Sequence, residues 1–269
     1  MKKKENLSFR EIQLEETKML KATIEFFEQN NLNYYISAGT LLGAVRHQGF
    51  IPWDDDIDIA MTRPEYNKLI KILKEHNLKI SDNLEGSGFE LGNSEMPFIK
   101  ILNKNIRVEQ SEQWEEYLWI DIFPLDGYPN NNESYYKKTK YLRKVFDLIR
   151  TDKNNIGLMT KNPIKRFIKR ICIFCLKIWK YENFLKFYMK FCTKYDYDNC
   201  EYVHDNVFGD TPTLIDKKEL ETGEYIFEGL KVHGFKDYDT ILTRLYGNYM
   251  ELPPEEKRQN HSFKAWRIK

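Results

Sequence analysis

Four of the five residues in Asp54-Asp55-Asp56-Ile57-Asp58 are carboxylates, and their spacing has a chemical use. Along a strand, alternate side chains share a face, and each residue advances the chain by about 3.3 Å. Asp56 and Asp58 then project together with their carbons roughly 6–7 Å apart, while Ile57 and Ile59 turn toward a core. Such a pair can grip a divalent cation, or two cations about 4 Å apart. Two ionised carboxylates about 4 Å apart repel by roughly 4 kcal/mol at an effective dielectric of 20. Without a cation, one of them therefore tends to hold a proton. All-oxygen donors suit Mg²⁺ or Mn²⁺, which keep waters and bind substrate phosphates as well. The chemistry implied is metal-assisted phosphoryl transfer.

A third carboxylate, Asp121, sits in Trp119-Ile120-Asp121-Ile122-Phe123, a strand pattern in which an unpaired charge is costly. Taken singly, an Asp run is as well read as a solvated turn, and a strand Asp as a cap on a loop. Together, an apolar-flanked Asp-x-Asp and a later apolar-flanked Asp favour the metal site. A calcium loop starting at Asp54 fails, because Ile59 stands where its sharp turn needs Gly and Pro64 falls near its end. Gly39-Thr40, just before a short helix, offers backbone N–H groups and a positive helix end to a phosphate.

The elements that must position these groups follow from periodicity. Apolar residues at helical spacing predict a helix over 8–29, ended by Asn30-Asn31. Tyr34-Tyr35-Ile36 reads as a short strand, 40–46 as a short helix, and 57–61 as a strand. A further helix starts at Arg63-Pro64 and runs to Glu75, with turns or a hairpin over 81–94. Strands follow at 98–102 and at 117–123, the latter ended by Pro124. Residues 133–195 are mostly helical with a break at Asn162-Pro163, and the tail mixes short strands with a helix over 238–246. This order is α/β or α+β with a small mixed sheet flanked by helices. Three segments are expected: a catalytic core over 1–130, a basic helical stretch over 131–200, and a C-terminal part over 201–269 that packs back onto the site.

Composition narrows the classes. Lys and Arg number 42 against 41 Asp and Glu, so no bulk field argues for nucleic acid, and no groove-reading motif is present. With 17 Tyr, 17 Phe and 5 Trp, the aromatics suit sugar or quaternary-ammonium binding as well as an ordinary core. The basic start Met1-Lys2-Lys3-Lys4 leads into polar residues, not the apolar stretch of an export signal. No run approaches the roughly twenty apolar residues that span a bilayer. Cys172, Cys175, Cys192 and Cys200 all lie in the later part of the chain, which fits a reduced, cytoplasmic setting. Cys172 and Cys175, on a helix, are expected as small packed residues and not as zinc ligands.

Longer blocks of sequence resemble a known family. Gly39-Thr40, Asp56-Ile57-Asp58-Ile59 and Ile120-Asp121-Ile122 are similar to the three-part signature of the nucleotidyltransferase superfamily. More narrowly, the stretch from Ser37-Ala38-Gly39-Thr40 to Arg46-His47, then Gly49-Phe50-Ile51-Pro52-Trp53 and the acidic run, resembles the LicD family. So do Phe123-Pro124-Leu125-Asp126-Gly127, Tyr246-Gly247-Asn248-Tyr249 and Leu252-Pro253-Pro254-Glu255. The resemblance implies a polymerase-β-like core that holds two metals. It also implies transfer of phosphocholine from CDP-choline to a sugar of teichoic acid or lipopolysaccharide, with release of CMP. Ribitol or glycerol phosphate from another CDP-alcohol is the alternative.

On that reading Asp56, Asp58 and Asp121 are the catalytic and metal-holding residues, with Mg²⁺ or Mn²⁺, and Asp121 accepts the proton of the attacking hydroxyl. Ser37, Gly39 and Thr40 line a phosphate cradle, Arg46 and His47 reach the nucleotide or phosphate, and Lys100 is a phosphate ligand. A choline ammonium cannot donate hydrogen bonds, so Trp53 and Trp119, beside the metal residues, are the candidate aromatic faces. Asp54 and Asp55 shape the approach to the site.

From Pro163 to Lys194 the chain interleaves Lys and Arg with large apolar residues and little acid. Two readings stay open: a peripheral contact with an anionic membrane carrying a lipid-linked glycan acceptor, or packing on the core with solvated lysines. The former would place the protein at the inner face of the cell membrane. An Asp-x-Asp glycosyltransferase is the enzymatic rival, but it normally carries a longer nucleotide-binding half ahead of that motif. A non-catalytic binder of choline-bearing glycans would not need three such carboxylates.

Overall fold

Helix α1 (Phe9–Gln29) opens with a capping box: in the computed structural model Ser8 accepts the Glu11 N–H, and the Glu11 carboxylate accepts the Ser8 N–H at 2.7 Å. Its buried face carries Ile12, Met19, Leu20, Ile24 and Phe27, at the spacing expected of an amphipathic helix. The structure describes residues 5–111, 114–130, 133–153, 162–209, 213–258, 260 and 263–268. Strand β1 (Glu5–Leu7) precedes α1; β2 (Tyr35–Ile36), α2 (Ala38–His47), β3 (Asp58–Thr62) and α3 (Arg63–Glu75) follow it. Then come β4 (Leu84–Ser87), β5 (Ile99–Ser111) and β6 (Trp114–Tyr128), and the helices α4 (Glu133–Lys153), α5 (Pro163–Trp179) and α6 (Tyr181–Cys192). The tail adds β7 (Tyr202–His204), β8 (Ile215–Asp216), β9 (Thr222–Phe227), β10 (Leu230–Phe235), α7 (Tyr238–Tyr246) and β11 (Lys264–Arg267).

The fold is mixed α/β, a mixed sheet flanked by helices. Its central path runs β1-β11-β5-β6-β3-β2-β10-β9, with β4 on β5 and β7–β8 continuing from β6. The β3–β6 and β10–β2 pairs are parallel; the other pairs are antiparallel. Strands from the last fifth of the chain thus sit beside β2 and β5. One buried cluster joins α1, α3 and the sheet, including Phe27, Leu41, Ile59, Tyr66, Ile122 and Phe235. A second joins the helical stretch to the sheet through Phe98, Phe146, Leu176, Phe184 and Tyr188, with Phe123 and Phe208 packed against it.

Three local expectations change. Strand β3 begins at Asp58, so Asp56 lies in the approach to the strand, although burial still alternates from Asp54 to Ile59. Strand β6 does not stop at Pro124 but runs on to Tyr128. The Asp121 N–H points to β3, donating to the Ile57 carbonyl at 3.0 Å, so by alternation position 124 faces the other way. On that side the β5 pairing ends at Ile122 and the β7 pairing begins at Asp126, so Pro124 deprives no neighbour of a donor. Finally, Cys172 and Cys175 are exposed on α5 and not packed, whereas Cys192 is buried.

Candidate active site

The acidic run gains its geometry from clips to α2 and β6. The Ser37 N–H donates to the Asp58 carbonyl at 3.0 Å, and the Asp58 N–H donates to Thr40 Oγ1 at 2.8 Å. The start of α2 is thereby fixed against the start of β3. Ser37 occupies the N-cap position with no side-chain cap hydrogen bond, which leaves the first-turn N–H groups for a ligand. Ala38 holds a left-handed φ of 45°, an arrangement costly for a residue with a Cβ and frequent at functional turns. Gly39 is constrained as well: a Cβ there would stand 2.6 Å from Asp54 Oδ2.

Parallel pairing then sets Asp58 directly beside Asp121, and the antiparallel β5 brings Lys100 to the other side of Asp121. Lys100 is buried, with Nζ 3.9 Å from Asp121 Oδ1 and 3.3 Å from Glu116 Oε2, and lies 3.9 Å over the Trp119 ring. Trp119 Nε1 donates to Asp121 Oδ2 at 3.2 Å. Asp121 Oδ1 has no hydrogen-bond partner among the described residues. The Asp121 side chain keeps 15% of its surface, opening on the cleft, but protein surrounds it. That desolvation is the main reason its pKa is pushed up to about 6; Lys100 opposes it, and Asp56 and Glu116 add to it. Asp58 is driven well above the ordinary carboxylate range by burial first, then by Asp56 and Asp121.

These groups line a cleft with two lobes. The first, about 660 Å³, is bounded by Gly39, Arg46, Trp53, Asp54, Tyr246 and Lys257. The second, about 470 Å³, is bounded by Ser37, Asp121, Phe123, Asp205, Phe208 and Leu245. Ala38, Asp56, Asp58 and Tyr246 border both, so the acidic pair stands where the lobes meet.

Among the described residues no three His, Cys, Asp or Glu side chains gather closely enough to cage an ion by themselves. The donor set nevertheless fits a hard divalent cation. Asp58 and Asp121 are crowded, desolvated carboxylates, Asp121 Oδ1 is an orphaned acceptor, and Mg²⁺ usually draws further ligands from phosphates and water.

Residues 31–154 match a family model described as LicD/FKTN/FKRP, nucleotidyltransferase domain. The chain is also 29% identical over 259 residues to the lipopolysaccharide cholinephosphotransferase LicD of Haemophilus influenzae, covering 95% of this chain and 96% of the relative. The chain thus carries a LicD-family domain and is similar to a LicD phosphotransferase along nearly its whole length. Two uncharacterized proteins share shorter stretches with it. One, from Rickettsia prowazekii, is 49% identical over 57 residues, 21% of either chain. The other, from Rickettsia typhi, is 41% identical over 68 residues, 24% of this chain and 22% of that one.

The expected site residues divide by position. Asp56, Asp58, Asp121, Ser37, Gly39, Arg46 and Trp53 border the cleft. Arg46 is anchored, with Nη1 donating to the Tyr249 carbonyl at 2.7 Å, and Arg258 lies 4.9 Å over the Trp53 ring. Thr40, His47, Lys100 and Trp119 border neither lobe. Thr40 is buried beneath Asp58, Lys100 and Trp119 grip Asp121, and His47 takes the Arg46 Nε–H at 2.9 Å. They touch residues that border the cleft and not the cleft itself, His47 through Arg46. Trp119 is therefore no open face for choline, because it is buried, with Lys100 over its ring and Phe263 against it.

Sequence reasoning missed Glu16, Asp54 as a lining residue, Asp205, Tyr246 and Lys257. Glu16 is fully buried on α1, and its carboxyl is driven well up by burial, then by Asp56, Asp55, Asp54 and Asp121. An acidic residue on the apolar face of a helix was the available signal. Asp205 accepts the Val207 and Phe208 N–H groups at 3.0 and 2.8 Å, and burial still lifts it to about 7. Nothing in its local sequence marks it.

Proposed function

We propose that this chain transfers phosphocholine from CDP-choline to a sugar hydroxyl of a bacterial cell-surface glycan precursor, releasing CMP. The observation that carries this reading is the β3–β6 register, which sets Asp58 beside Asp121 at the start of α2 and at the junction of two lobes. Similarity to the Haemophilus influenzae enzyme along nearly the whole of both chains supports the choice of cargo. A polymerase-β-like core and a cytoplasmic location, in keeping with the free thiols, belong to the same proposal.

The first lobe takes the donor. Arg46, Lys257 and the first-turn N–H groups of α2 face its phosphates, and Trp53 offers aromatic surface to the quaternary ammonium. The second lobe, with Asp205 and its apolar wall, takes the acceptor sugar. Asp56, Asp58 and Asp121 would hold Mg²⁺ or Mn²⁺, which when bound neutralises charge on the transferred group. The sugar oxygen forms a bond to the choline-bearing phosphorus as the bond from that phosphorus to the bridging oxygen breaks. The bridging oxygen leaves on CMP, and the hydroxyl proton passes to the Asp121 carboxylate. Lys100 and Trp119 keep Asp121 ionised and aimed, and positioning supplies much of the acceleration.

The test is CMP release with Mg²⁺ and a lipid-linked glycan acceptor, across CDP-choline, CDP-ribitol and CDP-glycerol. Consumption of CDP-choline with a new phosphodiester is expected. Turnover of only the ribitol or glycerol donor, or release of a nucleoside diphosphate from a nucleotide sugar, would replace this reading.

A further inference from the structure

Helix α5 is built inside out. Its protein-facing side holds Leu176, packed in the cluster with Phe146 of α4 and Phe184 of α6, with Ile173 and Lys169 half-buried beside it. The stripe of Ile164, Phe167, Ile168, Ile171, Phe174 and Ile178 recurs at spacings of three and four residues, so it shares one helix face. Those six side chains are 47–69% exposed, and Trp179 at the helix end is 48% exposed. An amphipathic helix normally turns this face to the core. Here α4 and α6 hold the other side, and the apolar stripe points away from the protein.

Charge says what covers the stripe. Between 162 and 180 the chain carries Lys165, Arg166, Lys169, Arg170, Lys177 and Lys180, and no Asp or Glu. In projection these cations lie on the flanks and on the far side of the apolar stripe. A second copy docked on this face would set one set of cations against another. Anionic lipid headgroups complement the cations, while the acyl boundary accepts Ile and Phe and the headgroup level suits Trp179. No helix among the described residues is long and apolar enough to cross a membrane.

We propose that α5 is a membrane-docking helix that lies in the plane of an anionic phospholipid surface, its Ile and Phe stripe inserted and its Lys and Arg flanks on the headgroups. The docked layer also backs the site: Phe123 and Phe208, which line the second lobe, pack against the helical cluster. Docking therefore brings that lobe near the lipid surface, where a lipid-borne acceptor would be met. This last point rests on the proposed reaction; the docking itself does not.

The experiment is flotation of the full chain with vesicles of phosphatidylglycerol and phosphatidylcholine, or of phosphatidylcholine alone, at low and high salt. Co-flotation with the anionic vesicles, weakened by salt and much weaker on neutral ones, is the expected result. The triple variant Phe167→Ser, Phe174→Ser, Ile178→Ser should lower the bound fraction by about tenfold or more. Its far-UV circular dichroism and its CMP release from soluble donor and acceptor should match the parent chain. Loss of flotation with intact far-UV signal supports docking through this face. Absence of flotation by the parent chain, or equal flotation by the variant, overturns the proposal. So does a parent chain that sediments as a dimer, becomes a monomer on the same substitutions and ignores vesicles. Flotation is read without turnover, so failure of docking and failure of the proposed reaction are separable.

Discussion

Asp121 illustrates how much chemistry one side chain draws from its neighbours. Lys100 at 3.9 Å and the Trp119 N–H both favour its charged form, while burial, Asp56 and Glu116 favour the neutral one. Replacing Asp121 by Asn should lower turnover by about 10²- to 10⁴-fold, the usual worth of a positioned base. Asp58→Ala should be at least as damaging, and near-normal CMP release by either folded variant would remove the assignment. Lys100→Met takes away an influence that lowers the Asp121 pKa, so that pKa rises. A base must be ionised to accept a proton, so the acid limb of the kcat/KM profile should move to higher pH. An unmoved limb would mean that Lys100 does not act through Asp121. Gly39→Ala is a steric test: its Cβ would collide with Asp54 Oδ2 at 2.6 Å. A misplacement of that size should cost about tenfold to a hundredfold in rate with the fold intact, and an unaffected rate would show that Asp54 yields freely.

Elements were legible where their pattern was local. The Asn30 stop of α1, its apolar periodicity and the alternation around Asp58 act between near neighbours in sequence, so they could be read from the chain. The run of β6 through Pro124 could not, because it depends on where β5 and β7 pair with it. Asp126 teaches the same lesson. Within its sequence motif it resembles another site carboxylate, but it forms a buried bidentate pair with Arg63, at 2.5 and 3.1 Å, that ties α3 to β6. Breaking such a pair leaves the buried Arg63 with only the partly exposed Glu90, at 3.2 Å, and costs up to about 3–5 kcal/mol. Asp126→Ala should therefore lower the denaturant midpoint sharply, and a midpoint close to that of the parent would show that the charge finds water.

At the scale of the molecule, four carboxyls share one low-dielectric region: Glu16, Asp58, Asp121 and Asp205 are all raised, first of all by burial. Unfolded, such groups titrate near pH 4. From there up to about 6 for Asp121 and about 7 for Asp205, the folded protein binds more protons than the unfolded chain. Stability from these groups is thus complete below about pH 4 and is lost as pH rises through that window. In chelator, the melting temperature should fall between pH 5 and 7.5, and added Mg²⁺ should restore it at the upper end. Asp58→Asn with Asp121→Asn should flatten the slope and abolish the Mg²⁺ response; an unchanged slope and response would place the cation elsewhere. The sequence by itself determined which residue types could hold a phosphate and a divalent ion, since Asp-x-Asp, the later Asp and the Gly before a helix are local patterns. It also determined the mixed α/β class, because periodicity and turn chemistry act over a few residues. Only the tertiary structure decided that Asp58 faces Asp121, that Lys100 and Trp119 serve that aspartate, and that Glu16 and Asp205 join the group. It also decided that α5 turns its apolar stripe outward. Those are matters of strand register and of which face a neighbour covers, and they are settled by pairing between residues far apart in the chain.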